Sequence, residues 1–230
     1  MKLKILNYIM NNHIMSAKSN AYLEVILGPM YSGKTSLLVE IHNELTFHGI
    51  PVAAINHTID DRYEKDSFIV THSGVKIPCL KAGELKQLWK PDIKQYSCKE
   101  DGASMITKYS SVILINEGQF FSDLFEVVND MLKHGKKVYV CGLDGDFERK
   151  KFGQILDLIP LCDKVTKLSS ECAVCNDGTP AIFSKRLSSE TEQTVVGSDN
   201  YIPVCRACYD SRTANDMMIG IYNIYKNDLN

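Results

Sequence analysis

The sequence lacks the features that mark membrane proteins and nucleic-acid-binding proteins. No apolar run approaches the ~20 residues that a transmembrane helix needs. The formal net charge is −2 over 230 residues, so no excess of basic side chains is available to attract nucleic acid or an acidic membrane surface. Repeats and low-complexity segments are also absent. The remaining possibility is a globular protein of ordinary composition, with room for one α/β domain and an appendage.

The first 20 residues lack a complete signal peptide. The apolar stretch at residues 3–6 stops at Asn7, and no small-residue cleavage site follows an apolar core. We therefore expect residues 1–20 to form a flexible extension of a cytoplasmic protein. Disulfides are disfavoured in that compartment, so metal binding is the better interpretation of the paired cysteines among the eight present.

The strongest motif lies at residues 28–35 and fits G-x-x-x-x-G-K-[ST] without a mismatch. An apolar run at residues 23–27 precedes it, and helical spacing of apolar residues follows it. In such a loop, backbone N–H groups and the helix N-terminus face phosphate oxygens. Lys34 is expected to neutralise the β- and γ-phosphates of ATP, and the Thr35 hydroxyl to bind Mg²⁺. The predicted ATP-binding residues of this loop are Gly28, Pro29, Met30, Tyr31, Ser32, Gly33, Lys34 and Thr35.

Strand and helix patterns alternate after this loop. The sequence predicts strands at residues 51–56, 111–115 and 137–141, and helices that end near Phe47 and span about 122–133. This alternation is typical of an α/β fold with an open, mostly parallel sheet and helices on both faces, of the P-loop (RecA-like) kind. Weaker patterns suggest a long loop at 57–74, a strand at 75–80 and a short helix at 82–89, whereas 91–105 has no clear pattern.

The composition changes again near residue 169, where helical periodicity gives way to cysteine pairs and turn residues. We therefore expect a flexible extension at 1–20, a nucleotide-binding domain at 21–168, a small zinc-binding domain with a substrate-closing loop at 169–210, and a tail at 211–230.

Two polar residues follow the most strand-like run of the chain, at residues 111–115. In P-loop proteins such a strand commonly brings an acidic residue to the Mg²⁺ beside the phosphates. Asn116 has no charge, whereas the carboxylate of Glu117 is suited to accept a proton from an attacking hydroxyl or to orient water. The alternative is that both residues simply end a strand. Arg62, near Asp60, is either a phosphate ligand or part of a solvated charged loop.

Four cysteines form two C-x-x-C pairs, Cys172 with Cys175 and Cys205 with Cys208, separated by 29 residues. Two such pairs close a tetrahedral Zn²⁺ site, and four cysteine ligands make that site structural rather than catalytic. The alternatives are reduced thiols or a redox pair. Several aromatic residues are candidates for packing against a planar base, although some of them must belong to the core: Phe120, Phe121, Phe147, Phe152 and Tyr201.

Together these motifs resemble thymidine kinases of the cytosolic, zinc-containing type (type II). The resemblance covers about residues 22–209 and also includes Asn-Glu-Gly-Gln-Phe-Phe at 116–121, Leu-Asp-Gly-Asp-Phe at 143–147 and Asp-Asp-Arg-Tyr at 60–63. It implies transfer of the γ-phosphoryl group of ATP to the 5′-hydroxyl of thymidine, with Glu117 as the general base. It further implies a homotetramer that dTTP inhibits.

The resemblance also assigns roles to individual positions. It adds four residues to the ATP site: Asp60, Arg62, Asn116 and Gln119. It places eight around thymidine: Phe120, Leu143, Phe147, Phe152, Val195, Val196, Gly197 and Tyr201. It places Mg²⁺ beside Thr35 and Asn116.

The chain departs from the family pattern at two places. The family has Asp where this chain has Asn116, which predicts a weaker hold on Mg²⁺. The loop that closes over the nucleoside in this family is slightly shorter here between Gly197 and Tyr201. We expect this difference to shift the selectivity for the nucleoside base. Two other functions remain open: a P-loop ATPase or nucleic-acid-binding module with a zinc ribbon, and a catalytically silenced nucleotide-binding homologue. The near-neutral charge disfavours nucleic acid as a partner.

Overall fold

The computed structural model describes residues 21–59, 67–91, 102–195 and 200–211. The predicted N-terminal extension lies outside these residues, and so does the predicted C-terminal tail except for Ser211. Four predicted site residues also lie outside them: Asp60, Arg62, Val196 and Gly197.

A six-stranded sheet in which all neighbouring strands are parallel forms the centre of the molecule. Its strands are β1 (Tyr22–Leu27), β2 (Val52–His57), β5 (Leu80–Ala82), β6 (Val112–Ile115), β7 (Lys137–Gly142) and β8 (Lys164–Lys167). They lie in the order β5-β2-β6-β7-β1-β8. Because parallel strands need crossover connections, helices cover the sheet.

Three helices accompany this sheet: α1 (Lys34–Phe47), α2 (Gly102–Tyr109) and α3 (Leu124–Lys133). Successive residues of a strand point to opposite faces, so each strand contributes to two cores. Val25 packs on the side of α3, whereas the next residue, Ile26, packs on the side of α1. The predicted α/β fold with helices on both faces is therefore confirmed.

The structure corrects three weaker expectations between residues 57 and 89. The expected long loop contains β3 (Phe68–Val70), which forms an antiparallel hairpin with β4 (Lys76–Pro78). The expected single strand at 75–80 is therefore divided between β4 and β5. The expected helix at 82–89 is only a 3₁₀ turn at Leu85–Gln87. Strands of three residues are too short to show a clear alternating pattern in the sequence.

The cysteine-rich part contains only short elements. They are β9 (Ser170–Glu171), β10 (Pro180–Ala181), β11 (Phe183–Arg186), β12 (Tyr201–Val204) and α4 (Arg206–Asp210). The strands form two antiparallel pairs, β9 with β10 and β11 with β12, outside the main sheet. Among the described residues, no helix combines the length and apolar character needed to cross a membrane.

Candidate active site

The carboxyl ends of the central strands converge on one cavity of about 610 Å³. The phosphate-binding loop follows β1, and Glu117 follows β6, with β7 lying between these two strands in the sheet. The cavity is lined by this loop, by Glu117 and by residues of the cysteine-rich part. Its volume is in the range of ordinary small-molecule sites.

The phosphate-binding loop has the backbone geometry that its sequence predicts. Gly33 adopts a left-handed conformation with φ 83° and directly precedes α1. A side chain on Gly28 would meet the carbonyl oxygen of Leu168 at 2.7 Å, so glycine is required there as well. Lys34 is buried, and its Nζ donates a hydrogen bond to the carbonyl oxygen of Pro29 at 2.7 Å. The loop therefore presents a buried cation at the start of a helix, which favours anion binding.

Glu117 occupies an unusual backbone position at the end of β6. It has φ 52° and ψ 44°, in the left-handed region that few non-glycine residues adopt. Gln119 orients its carboxylate, because Gln119 Nε2 donates to Glu117 Oε2 at 2.7 Å. The other end of the same amide, Gln119 Oε1, accepts from the backbone N–H of Leu143 at 3.0 Å. A carboxylate held in this way beside the phosphate-binding loop is well placed for proton transfer.

Asn116 also lines the cavity, but its amide makes hydrogen bonds within the sheet. Its Nδ2 donates to Asn56 Oδ1 at 3.0 Å, and its Oδ1 accepts from the Cys141 thiol at 3.0 Å. Burial, followed by the charge of Glu117, raises the pKa of Cys141 to about 12, so this thiol stays protonated and can donate. Asn116 thus connects the ends of β2, β6 and β7.

Aromatic side chains form the other wall of the cavity. Phe120 and Phe152 meet edge to face with ring centroids 5.5 Å apart, and Phe147 and Leu143 line the cavity with them. Tyr201, the first residue of β12, also lines the cavity. An apolar, aromatic wall of this kind is suited to a planar base. Phe121, in contrast, is fully buried in the core.

The four paired cysteines come together in the cysteine-rich part, where Cys205 directly follows the strand β12 that carries Tyr201. The Sγ atoms of Cys172, Cys175, Cys205 and Cys208 all lie within 4.8 Å of one another. A tetrahedral zinc site with Zn–S bonds of ~2.3 Å has sulfur–sulfur distances of ~3.8 Å, so the cluster fits the ion. Burial raises the pKa of Cys172, but hydrogen bonds from backbone amides, including that of Cys205, outweigh burial and lower this pKa to about 6. The thiolate that binds a metal is therefore favoured at this position.

Most of the predicted site residues that the structure describes line the cavity. Gly28 and Pro29 belong to the same loop but do not line the cavity, and the Pro29 carbonyl oxygen accepts from Lys34 Nζ. Sequence reasoning missed Ser184, whose Oγ accepts from the Met30 N–H at 2.8 Å and joins the cysteine-rich part to the phosphate-binding loop. It also missed Gln193 and Asp146, which line the cavity and are joined by a 2.7 Å hydrogen bond. Asp146 lies inside the Leu-Asp-Gly-Asp-Phe motif, which was a usable signal, whereas Ser184 and Gln193 carry none.

The parallel sheet, the phosphate-binding loop and the carboxylate opposite it define a P-loop nucleotide-binding protein. The family model described as thymidine kinase matches residues 21–209. The chain belongs to the thymidine kinase family.

Individual relatives agree with this assignment. "Thymidine kinase a" of Arabidopsis thaliana is 41% identical over 202 residues, which are 85% of this chain and 77% of the relative. A thymidine kinase of Oryza sativa subsp. japonica is also 41% identical, over 81% of this chain and 65% of the relative. A thymidine kinase of Yaba monkey tumor virus is 35% identical, over 85% of this chain and 97% of the relative.

Proposed function

We propose that the protein transfers the γ-phosphoryl group of ATP to the 5′-hydroxyl of thymidine and so produces thymidine monophosphate. One observation carries this proposal above all. In a chain that matches the thymidine kinase family over residues 21–209, Lys34 at the start of α1 and Glu117 after β6 line the same cavity. The cavity thus combines a cation for phosphate with a carboxylate for the acceptor hydroxyl.

The residues divide the work between two sides of the cavity. The phosphate-binding loop holds the phosphates of ATP, and Lys34 neutralises charge on the transferring group. Glu117, oriented by Gln119, takes the proton from the 5′-hydroxyl as that oxygen bonds to the γ-phosphorus, while the bond from this phosphorus to the oxygen of the leaving ADP breaks. The aromatic wall of Phe120, Phe147 and Phe152 holds the thymine base and keeps water away from the reacting atoms.

Two metal ions belong to the proposal. Mg²⁺ would enter with ATP and would supply positive charge against the charge that develops on the phosphates during transfer. Thr35, in the first turn of α1, and Asn116, at the end of β6, both line the cavity. Their side chains carry the oxygen atoms that Mg²⁺ prefers. Zn²⁺ in the four-cysteine cluster is structural, and it stabilises the part of the chain from which Tyr201 reaches the cavity.

Further proposals rest on the sequence patterns and on the family. They are division into a nucleotide-binding domain at 21–168 and a zinc-binding domain at 169–210, a cytoplasmic homotetramer, and inhibition by dTTP. The main sheet ends with Lys167 and the small sheets begin at Ser170, which supports the proposed division. Contributions to the site from Asp60, Arg62, Val196 and Gly197 also belong here.

A single assay tests the proposed function against the alternatives. Purified protein is incubated with ATP, Mg²⁺ and each deoxynucleoside in turn, and the products are separated by chromatography. We expect thymidine monophosphate and an equal amount of ADP. ADP formation without a nucleoside would instead indicate an ATPase, and nucleotide binding without any product would indicate a silenced homologue.

A further inference from the structure

Arg186 is a buried cation at the end of β11, with only 8% of its surface exposed. Its guanidinium group donates to three main-chain carbonyl oxygens: those of Glu190 at 2.9 Å, Glu192 at 2.6 Å and Gln193 at 3.1 Å. It also donates twice to the Tyr201 hydroxyl, from Nη2 at 2.6 Å and from Nε at 3.1 Å. These donors fix the course of the segment from Glu190 to Val195, here called the 190–195 segment.

The same guanidinium group contacts the aromatic wall. Its central carbon lies 3.7 Å from the centroid of the Phe147 ring, a close cation–π contact. The Tyr201 hydroxyl, which Arg186 engages, in turn donates to the carbonyl oxygen of Val195 at 3.3 Å. Phe147, Tyr201 and Val195 all line the cavity, whereas Arg186 is not among the residues that line it. Arg186 thus lies behind three separate pieces of the wall and joins them.

We propose that Arg186 is a positioning residue that fixes the nucleoside side of the cavity, and thereby sets the affinity for thymidine without touching it. This inference rests on the proposed function. The contacts of Arg186 described above all lie on the nucleoside side of the cavity, so we expect it to affect thymidine binding more strongly than ATP binding. Gln193 strengthens the arrangement, because its Nε2 donates to the buried Asp146 at 2.7 Å.

Lysine cannot replace arginine in this role. The planar guanidinium group presents several donors in fixed directions and stacks on a ring, whereas an ammonium group is compact and offers three rotatable donors. In R186K we therefore expect some of the carbonyl oxygens of the 190–195 segment to lose their donor and the segment to become mobile. In R186A all of these donors and the contact with Phe147 are lost.

The test measures steady-state kinetics of R186K and R186A for each substrate separately. We expect the KM for thymidine to rise by about 10- to 100-fold, the scale of a misplaced binding group, and the KM for ATP to change by less than about twofold. The matched control is R206K, because Arg206 is an exposed arginine of the same region, 5.2 Å from the Phe183 ring. Millimolar guanidinium is expected to restore thymidine affinity in R186A, whereas methylammonium is not.

A second measurement does not depend on activity. Hydrogen–deuterium exchange of the peptide that covers residues 187–195 should be faster in R186K than in the wild type and in R206K. Unchanged exchange, an unchanged KM for thymidine, or an equal loss for both substrates would overturn the inference. If the wild type makes no thymidine monophosphate, the proposed function fails, and the exchange experiment still decides whether Arg186 holds the segment.

Discussion

Glu117 has a backbone conformation that few non-glycine residues adopt. Residues in such regions cost of order 1–3 kcal/mol each, and they persist where the surroundings hold them in place. Here Gln119 holds the Glu117 carboxylate and is itself held by the backbone of Leu143 at the end of β7. We infer that the strain serves to aim the carboxylate into the cavity.

Glu117→Gln is the substitution that tests the role of this carboxylate. The variant keeps the shape of the side chain and an oxygen that accepts from Gln119, but it cannot take up a proton. We expect kcat to fall by about 10²–10⁴-fold, the usual contribution of a general base, with little change in thymidine binding. Glu148→Gln, at an exposed glutamate that pairs with Lys150, is the control. An unchanged kcat in Glu117→Gln would exclude Glu117 as the base.

Asn116→Asp tests the departure from the family pattern. The new carboxylate has no N–H to donate to Asn56 Oδ1, which also accepts from the His57 backbone N–H. We expect a loss of about 1–3 kcal/mol in the free energy of unfolding, because two buried acceptors would then face each other.

If position 116 also faces Mg²⁺, the added charge of Asn116→Asp should lower the Mg²⁺ concentration needed for the half-maximal rate. Thermal unfolding and a Mg²⁺ titration at fixed ATP measure the two effects, and superimposable titrations would contradict a metal-facing role.

Among the elements, long and strongly patterned segments could be predicted from the sequence. The phosphate-binding loop, α1 and β6 follow directly from a glycine pattern, helical spacing and an apolar run. The hairpin of β3 and β4 could not be predicted, because each strand has three residues and their pairing is decided by packing of Ile69 and Ile77 on the α1 side of the sheet. Tertiary contacts, rather than local propensity, determine such elements.

The candidate site likewise contains some residues that could be predicted from the sequence and others that could not. Its motif residues, such as Lys34 and Glu117, could be located because their chemistry requires a fixed spacing. Arg186 and Gln193 could not, since their roles depend on contacts with Phe147 and Asp146, which lie 39 and 47 residues earlier in the chain. No local pattern distinguishes them from solvated polar residues.

The four-cysteine cluster provides a prediction that concerns the short elements around it. Cys205→Ser removes one of the four ligands and the sulfur that accepts from the Cys208 backbone N–H. We expect loss of bound Zn²⁺ and a rise in the KM for thymidine that exceeds any rise for ATP, because β12 carries Tyr201 into the cavity. Metal analysis and steady-state kinetics measure both effects. Cys162→Ser, outside the cluster, is the control, and active protein that never contains zinc would contradict the structural role.

At the scale of the whole molecule, Glu24 joins β1 to its neighbour β8 at the edge of the main sheet. It is 5% exposed and accepts from Thr166 Oγ1 at 2.6 Å and from Tyr22 Oη at 3.0 Å, and it pairs with Lys164 at 3.0 Å. Burial raises the pKa of Glu24, but the hydrogen bonds from Thr166, Lys164 and Tyr22 outweigh burial and lower this pKa. The folded state therefore binds the proton less readily than the unfolded state.

The sign of the pH effect follows from this lowered pKa. The contribution of Glu24 to stability is fully present above the unfolded pKa of about 4.3 and is lost as the pH falls through the folded pKa. We expect Glu24→Gln to be less stable than the wild type by about 1–3 kcal/mol at pH 7, with the difference shrinking in acid. Urea unfolding of both proteins, from pH 7 down into acid, measures this difference in the free energy of unfolding. Glu40→Gln, at an exposed glutamate, is the control. A difference that does not vary with pH would contradict the ionised role of Glu24.

The fate of the γ-phosphoryl group of ATP tests the proposed kinase activity. The whole protein is given ATP labelled at the γ-phosphate, together with Mg²⁺ and thymidine, and the label is then located. Transfer to the 5′-hydroxyl predicts that the label appears in thymidine monophosphate, at the rate of ADP formation, and that Glu117→Gln abolishes most of this signal. Label found in inorganic phosphate at a rate that thymidine does not change would contradict the assignment of this protein as a thymidine kinase.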